Sequence, residues 1–546
     1  MKIRADVLRT YQTIHTWTGI TTGLLLFIGF FAGAITMYAG VIDEWSTPPT
    51  QHLPQVEINQ YDDLLQQVFF GHPESSKQIT LSLTENTSPV TWYQQGSPRG
   101  LRLDDQLWHA SLDGNGELIA HTSSKNELSA LVDYLHRSAG IAGEVGHEQA
   151  GVYVLGVAAI LYFLALLSGL IFLLPTLAKH FLALRQDKGS KRFWLDTHNL
   201  IGITSLPFHI VIAITVIVFA FHDVLYDGLG KIYGDKPLFP RPVASETTFN
   251  SQVLPSITTL IAKANEYAPE HQVKQISLSG LNSSSPRASI QLVSEQHLMR
   301  GPKTDFLFMH PYTFEVSSSS IMNGDQGVWG KVVTTLFGLH FGSFGGELGR
   351  FGYFIMGILG AVLFYTGNLL WLQKRHKSNA AEQSRAPRVM AKLTIGVALG
   401  SLLGVAMAFA VTKWLALTSL NVNLAYMWLY YLCFFAVLLA ALRFELSRTA
   451  VYVQRLIAVL CISLPLTSLL TYLLPNLGIW PANSAATWAL ELVAGVIAVV
   501  FWHLANKTKH NASKSDSTWA LSQSKALPEQ TSYSNGIHPA ESQELR

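Results

Sequence analysis

Long apolar runs alternate with polar segments along the chain, and their lengths predict a membrane protein. Eight runs approach or exceed the ~20 residues that an α-helix needs to cross a bilayer. The first run is long and rich in glycine, and it lacks a convincing small-residue cleavage site, so we interpret it as a membrane helix rather than a signal peptide. The eight runs lie near residues 14–38, 151–174, 199–222, 351–372, 393–416, 425–442, 456–474 and 485–505.

Two long polar segments, roughly residues 40–135 and 223–335, separate the first four apolar runs. Each segment opens with a helix-like stretch and continues with runs of alternating apolar and polar residues, which predict strands. Each also has a late turn, at Asp113–Gly116 and at His310–Tyr312. We therefore predict two α+β domains outside the membrane. The helix-like stretches are Tyr61–Phe70 and Val253–Tyr267, and the strand-like runs are Gln78–Leu83, Thr91–Tyr93, Val273–Leu278 and Ser289–Val293.

Composition and charge agree with this architecture and give it an orientation. Only 14% of the residues are charged, against about 25% in soluble proteins, and a formal net charge of +2 gives no reason to expect a nucleic-acid partner. Lys and Arg concentrate near the N-terminus and in the connections 175–197 and 373–392, whereas the short loops 417–424 and 475–484 have none. The positive-inside rule then predicts cytoplasmic termini and two periplasmic domains, as in the inner membrane of a Gram-negative bacterium.

The sequence contains an internal duplication. The first span begins IHTWTGITTG and the third THNLIGITSL; the entries to the second and fourth spans read LHRSAGIAGEVGHEQ and LHFGSFGGELGR. The predicted parts are residues 1–39 (N-terminus and first span), 40–135 (first outer domain), 136–222 (second and third spans), 223–335 (second outer domain), 336–376 (fourth span), 377–506 (a four-helix extension without a counterpart) and 507–546 (a disordered cytoplasmic tail). The matched residues are His15 with His198, Gly19 with Gly202, and His136 with His340.

The matched histidines fall at two predicted depths. His15 and His198 lie at the inner ends of the first and third spans, and His136 and His340 at the outer entries to the second and fourth. An ionisable side chain inside a bilayer is costly and suggests a function. Because neutral imidazole is an axial ligand of haem iron, two histidines at each depth predict two b-type haems, each held by two histidines.

Three further residues fit this interpretation. Gly19 and Gly202 each lie one helical turn after a predicted ligand, where the missing side chain would let a flat porphyrin approach the backbone. The planar guanidinium of Arg350 suits a haem propionate. The alternative is structural: glycines in membrane helices commonly serve helix packing, and a single histidine at a membrane interface often caps a helix.

His209 leaves a choice open. It follows His198 by 11 residues, about 16 Å along a helix and on nearly the same face. It would either replace one of the outer ligands or form a hydrogen bond within the helix bundle. We favour the hydrogen bond, because His209 has no partner in the repeat.

These motifs resemble the PepSY-associated transmembrane family, and in particular its iron-regulated inner-membrane members, which include ferric-siderophore reductases. The resemblance covers residues 1–376 and rests on four elements in order. They are His15 in the first span, the LH…G…GExG entry at His136, the FWLDTH segment Phe193–His198, and the LHFGSFGGELGR entry His340–Arg350.

The resemblance implies PepSY-like outer domains, two haems in the membrane, and reduction of a ferric siderophore or another ferric chelate on the periplasmic face. Electrons would come from a quinol or a separate reductase. Two other functions stay open: a cofactor-free transporter of iron or siderophore, and a binding or regulatory scaffold. The spans are almost free of carboxylates, Glu491 being the main exception, which argues against an ion-coupled carrier.

Overall fold

The computed structural model describes residues 4–84, 87–94, 103, 106–146, 148–177, 183–185, 189–233, 248–322, 327–375 and 384–512. Within these residues the α-helices are α1 (Ala5–Thr36), α2 (Ala39–Ser46), α3 (Tyr61–Gly71), α4 (Leu128–Ser138), α5 (Ala150–Leu173), α6 (Ser190–Thr204), α7 (Leu206–Ala220), α8 (His222–Tyr233), α9 (Ile257–Tyr267), α10 (Gly327–Phe341), α11 (Gly346–Arg375), α12 (Arg385–Leu415), α13 (Val422–Arg443), α14 (Leu446–Leu473) and α15 (Ala485–Ala512).

Seven described helices are long and apolar enough to cross a membrane, and a bent helix pair raises the possible number to eight. The seven are α1, α5 and α11 to α15. The pair is α6 and α7, which meet at Ser205 with a bend of 68°. The third predicted span, near 199–222, falls on this bent pair. Pro207 lies in the first turn of α7 and lacks the N–H that would continue the hydrogen bonds of α6.

The last helix also differs from the prediction. It runs to Ala512, whereas the sequence predicted the end of the span near residue 505 and a disordered tail from 507. Lys509 and His510 lie in its final turn, where positive charge favours the helix C-terminus. The remainder of the predicted tail lies outside the described residues.

Both outer domains contribute to one eight-stranded sheet of order β10-β9-β8-β7-β1-β2-β3-β4. The strands of the first domain are β1 (Gln78–Ser82), β2 (Val90–Tyr93), β3 (Gln106–Leu112) and β4 (Leu118–Ser124); those of the second are β7 (Gln272–Ser279), β8 (Arg287–Val293), β9 (Asp305–Met309) and β10 (Val316–Ser319). A separate small hairpin pairs β5 (Glu144–Val145) with β6 (Glu148–Gln149).

The two domains join through the antiparallel pair β1–β7, in which Thr80 lies opposite Ser277. From this central pair the strands of each domain follow in chain order towards the two edges of the sheet. The two copies of the repeat are therefore related by an approximate two-fold axis. Side chains alternate across the pleat: Ile79 and Leu81 are fully buried in the core that the sheet shares with α3 and α9, and the hydroxyls of Thr80 and Ser277 meet on the opposite face at 3.1 Å.

His136 and His340 lie on short helices of their own, α4 and α10, and not on the spanning helices that follow. The α4 helix ends at a left-handed residue, Ala139 with φ of 52°, and Gly140 continues this conformation. Gly342, with φ of 65°, follows α10. These breaks let each histidine helix take its own direction before the chain enters the membrane.

The C-terminal helices contact both copies of the repeat, since α12 packs against α1 and α4 of the first copy and α11 of the second. A buried ion pair lies at the junction with the first copy. The Nζ of Lys413 lies 3.1 Å from the Oε1 of Glu491, and both side chains are almost fully buried. The same carboxylate oxygen accepts hydrogen bonds from the indole of Trp45 at 2.8 Å and from the hydroxyl of Ser468 at 2.5 Å. The pair thus links α12 and α15 to α2 of the first copy.

We predict that Lys413→Met lowers the free energy of unfolding by about 3–5 kcal/mol, because it leaves the Glu491 carboxylate buried without its counter-charge. The double variant Lys413→Met/Glu491→Leu should recover most of this loss, since an apolar pair of similar volume needs no compensation. Chemical unfolding in detergent measures both. Equal losses in the single and double variants would contradict this account of the pair.

Candidate functional site

The four predicted histidines come together as two pairs. The ring centroids of His15 and His198 are 6.2 Å apart, and those of His136 and His340 are 6.0 Å apart. Each pair joins one residue of the first copy to its match in the second. We call them the far-side pair (His15, His198) and the sheet-side pair (His136, His340), by their distance from the sheet.

The pairs lie at two levels of the bundle. The sheet-side His136 contacts the carbonyl oxygen of Gly29 on α1, and His15 lies on the same helix 14 residues earlier. A rise of 1.5 Å per residue places the two levels about 21 Å apart along α1. This separation agrees with the two depths expected from the sequence.

Each of the four imidazoles is held through its Nδ1 atom. His15 Nδ1 donates to the carbonyl of Ala165 at 2.8 Å, and His136 Nδ1 donates to that of Gly29 at 2.8 Å. In the second copy the acceptors are hydroxyls: His198 Nδ1 lies 3.0 Å from the Oγ1 of Thr366, and His340 Nδ1 lies 2.9 Å from the Oγ1 of Thr215.

The threonine contacts determine the tautomer. The hydroxyl of Thr366 donates to the carbonyl of Leu363 at 2.9 Å, and that of Thr215 donates to the carbonyl of Val211 at 2.9 Å. Each hydroxyl has one proton, so each accepts from its histidine. All four rings therefore have the proton on Nδ1 and a lone pair on Nε2, and within the described residues no hydrogen bond engages any of these Nε2 atoms.

Glycines on neighbouring helices make room for the rings. A Cβ at Gly33 would lie 2.6 Å from the Nδ1 of His136, and one at Gly169 would lie 2.8 Å from the Nδ1 of His15. A Cβ at Gly367 would contact the ring of His198 at 3.5 Å. Sequence reasoning missed these glycines. In the sequence of an apolar helix, a glycine that makes room for a histidine ring cannot be told from one that lets two helices pack closely.

The predicted glycines have other surroundings. No atom lies within 4 Å of a Cβ built at Gly19, and at Gly202 only Leu363 does so, at 3.6 Å. Neither contacts a histidine ring. Their role beside a porphyrin stays a prediction, with open space next to Gly19.

The FWLDTH segment holds His198 in place through Asp196. This carboxylate is 1% exposed and accepts hydrogen bonds from Arg185, at 2.9 Å from Nε and 2.8 Å from Nη2. Arg192, one turn earlier on α6, adds a contact at 3.1 Å. These contacts anchor α6 at Asp196, two residues before His198.

His209 belongs to neither pair. Its ring packs against Phe30, Phe208 and Tyr162, at centroid distances of 5.6, 5.4 and 6.0 Å. The side chain is fully buried, and neither ring nitrogen has a hydrogen-bond partner. The hydrogen bond that we favoured from the sequence is therefore wrong, because the packing of α7 places His209 among aromatic side chains that offer no acceptor.

A cavity of about 1,570 Å³ surrounds the sheet-side pair. Its inner part is apolar and its mouth is charged. The inner lining includes Leu26, Gly29, Phe30, Gly33, Phe208, Ile212, Val216, Phe219, Phe337 and Gly357, together with both histidines. The mouth includes Asp133, Arg137, Glu144, Glu148, Tyr226, Arg300, Lys303 and Arg350.

Arg350 lines this cavity, and its guanidinium forms an ion pair with Glu347 one turn earlier. Burial lowers the pKa of Arg300 and that of Lys303, and the neighbouring Arg350 lowers the pKa of Lys303 further. Sequence reasoning missed both Arg300 and Lys303, since nothing in the loop 294–304 marks it as part of a membrane-level cavity.

The residues present fit an iron porphyrin. Two imidazoles bound to one metal have centroids about 6 Å apart, because a bond from imidazole nitrogen to a transition metal is about 2 Å long; both pairs match this spacing. The lone pairs on Nε2 are the required donors, and the Nδ1–H anchors are typical of metal-binding histidines. Within the described residues, no group of three or more His, Cys, Asp or Glu could hold a metal ion by itself.

We predict that His209→Leu raises the free energy of unfolding by about 1–3 kcal/mol, since it removes buried polar atoms that lack partners. His209→Ala should lower it by about 2–4 kcal/mol, because it opens a cavity. Thermal and chemical unfolding compare the two. If leucine destabilises as much as alanine, the His209 ring makes a favourable polar contact and our account of the layer is wrong.

Comparison with known proteins adds one match. The model of the PepSY-associated TM region matches residues 12–374, which include both histidine pairs and the whole eight-stranded sheet. No curated protein matches the chain. The matched region, the apolar spans and the sheet agree, and the chain belongs to the family of the PepSY-associated TM region.

Proposed function

We propose that this membrane protein holds two b-type haems and transfers electrons to a ferric chelate, such as a ferric siderophore, on the sheet side of the membrane. It would act as a transmembrane ferric-siderophore reductase in the inner membrane of a bacterium. The sheet would then lie in the periplasm and both termini in the cytoplasm.

The observation that supports this most is the common state of four histidines. All four come from matched positions of a duplicated sequence, form two pairs at two levels, and use Nδ1 as a donor. The four side chains are partly buried, and each ring leaves Nε2 with a lone pair, which suits a ligand of haem iron.

Different residues of the chain would bind each of the two haems. His15 and His198 would hold the far-side haem, and His136 and His340 the sheet-side haem. Gly33 and Gly169 give the ligand rings room, and Ala165, Gly29 and the two threonines fix the ring orientation. When bound, the two porphyrin irons supply one-electron redox chemistry, which the protein tunes through ligands and burial.

The position of the cavity supports the direction of transfer. It contains the sheet-side pair and reaches loops of both outer domains, so a chelate could approach that pair from the sheet side. Reduction adds one electron to Fe(III) and yields Fe(II), which oxygen-donor chelators hold less tightly. The electron donor would be a quinol or a separate reductase at the far side, where Arg4 and Arg9 begin the chain.

The cofactor-free transporter has one observation in its favour, the size of the same cavity. At about 1,570 Å³ it exceeds the 300–1,000 Å³ of most ligand pockets. The transporter would leave the histidine pairs without chemistry. A spectrum separates the two functions.

We predict that the purified protein shows low-spin b-type absorption bands that sharpen on reduction with dithionite. His198→Ala and His340→Ala should each lose about one haem per chain, because each removes one ligand of a different pair. His121→Ala, a histidine of the sheet, should keep both. A colourless wild-type protein from haem-replete cells, or an unchanged spectrum in both ligand variants, would reject the assignment.

A second prediction concerns the anchor of His340. Thr215→Val keeps the side-chain volume and removes the acceptor of the Nδ1 proton, so haem affinity at the sheet-side pair should fall about 10–100-fold. Haem transfer to an excess of apomyoglobin measures this. Thr204→Val is the matched control, since that hydroxyl bonds only within its own helix. Equal transfer rates in both variants would show that the anchor does not support ligation.

A further inference from the structure

The charged residues that line the cavity differ in sign between the two copies of the repeat. The wall from the first copy bears three acids, Asp133, Glu144 and Glu148, and one base, Arg137. The wall from the second copy bears three bases and no acid among its described lining residues. We call these three, Arg300, Lys303 and Arg350, the cationic wall.

Two members of the cationic wall lack an acidic partner. Arg137, on the opposite wall, lies 3.4 Å from Glu148 and 3.8 Å from Asp133, and Arg350 pairs with Glu347. No ion pair within the described residues involves Arg300 or Lys303. The guanidinium of Arg300 instead lies 5.3 Å from the ring centre of Phe337 on α10.

The loop 294–304 between β8 and β9 is anchored at Met299 and Arg300 by hydrogen bonds of its backbone. The backbone N–H of Arg300 donates to the carboxylate of Asp305 at 2.9 Å, and the hydroxyl of Ser320 donates to the same oxygen at 2.7 Å. The carbonyl of Met299 accepts a hydrogen bond from Ser343. The loop is therefore tied to the sheet and to the segment that follows α10.

The loop also packs on the helix that bears His340. A Cβ built at Gly338 would lie 2.5 Å from Leu298, so the leucine fills a notch that only glycine leaves on α10. Gly338 precedes His340 by two residues. The two free cations are thus part of the same rigid unit as a predicted haem ligand.

A cation held at a cavity mouth without a counter-ion is poised to bind an anion. Three acids, Asp43, Glu44 and Glu347, lie near Lys303 and partly oppose the lowering of its pKa by burial, but none is within ion-pair distance.

We propose that Arg300 and Lys303 form an oxyanion-binding pair at the cavity mouth, which makes the protein selective for negatively charged ferric chelates. The choice of a ferric chelate as the ligand rests on the proposed function; the binding of an oxyanion does not. The carboxylates of a bound haem share the same chemistry, and the experiment separates the two sources.

The test uses the full chain, purified and air-oxidised, with binding measured by calorimetry. The probes are ferric EDTA, an anionic complex, and ferrioxamine B, a cationic one. Wild-type protein should bind ferric EDTA more tightly, and added salt should weaken that binding. Arg300→Gln and Lys303→Gln should each weaken it about tenfold, the effect of one charge-assisted hydrogen bond, and leave ferrioxamine B unchanged.

Two controls separate charge from folding. Lys331→Gln removes an exposed cation of α10 that does not line the cavity and should bind ferric EDTA as the wild type does. Arg300→Lys keeps the charge and should stay within about threefold of the wild type. Melting curves show whether each variant is folded.

Haem content and the midpoint potential of each haem are measured on the same samples. A change in either, with chelate binding unchanged, would assign the pair to haem carboxylates and support the oxyanion site. Unchanged chelate binding, haem content and potentials in the double variant Arg300→Gln/Lys303→Gln would overturn the proposal. If the protein contains no haem but still binds ferric EDTA selectively, the oxyanion-binding pair is retained and the dihaem function is rejected. The experiment therefore distinguishes failure of this proposal from failure of the proposed function.

Discussion

The centre of this molecule depends on four partly buried imidazoles at matched positions, each with Nδ1 in a hydrogen bond and Nε2 without a hydrogen bond in the described part of the chain. Each Nδ1 proton is satisfied by a carbonyl or by a threonine whose own proton is already committed. The helices α1, α5, α7 and α11 must therefore keep their mutual positions, because each supplies an acceptor to a ring on another helix.

The duplication gives this arrangement its geometry. The outer domains pair edge to edge through β1 and β7, and the histidines pair across the same two copies within the helix bundle. One approximate two-fold relation thus organises both the sheet and the two levels of imidazoles. Joining the domains into one sheet also covers the edges of β1 and β7, which as separate domains would expose unpaired backbone groups.

The copies diverge where their surroundings differ. The first copy packs against the C-terminal helices through Lys413, Glu491 and Trp45, and its wall of the cavity is acidic. The second copy supplies the loop that carries Arg300 and Lys303. The two copies thus keep the same histidine arrangement but line the cavity with residues of different charge. A dimer of two identical copies would not have this difference.

The sequence alone predicted the apolar helices, the repeat, four of the eight strands of the sheet and the four histidines that meet in pairs. These follow from local properties: an apolar run of ~20 residues spans a bilayer whatever surrounds it, and a repeat is visible without coordinates. The stretch Tyr61–Phe70, which forms the helix Tyr61–Gly71, and the turns at Asp113 and His310 were predicted from local sequence in the same way.

Only the tertiary structure decided which histidines pair, which glycines contact them, and that the ring nitrogens of His209 have no hydrogen-bond partner. Gly33 and Gly169 matter because of rings that approach from α4 and α1, and Thr215 matters because α10 crosses it; none of these contacts leaves a trace in sequence spacing. The break at Ser205 and the cations at the cavity mouth likewise depend on how distant segments pack. Local pattern determines elements, whereas the partners of a side chain depend on packing between segments that are far apart in the chain.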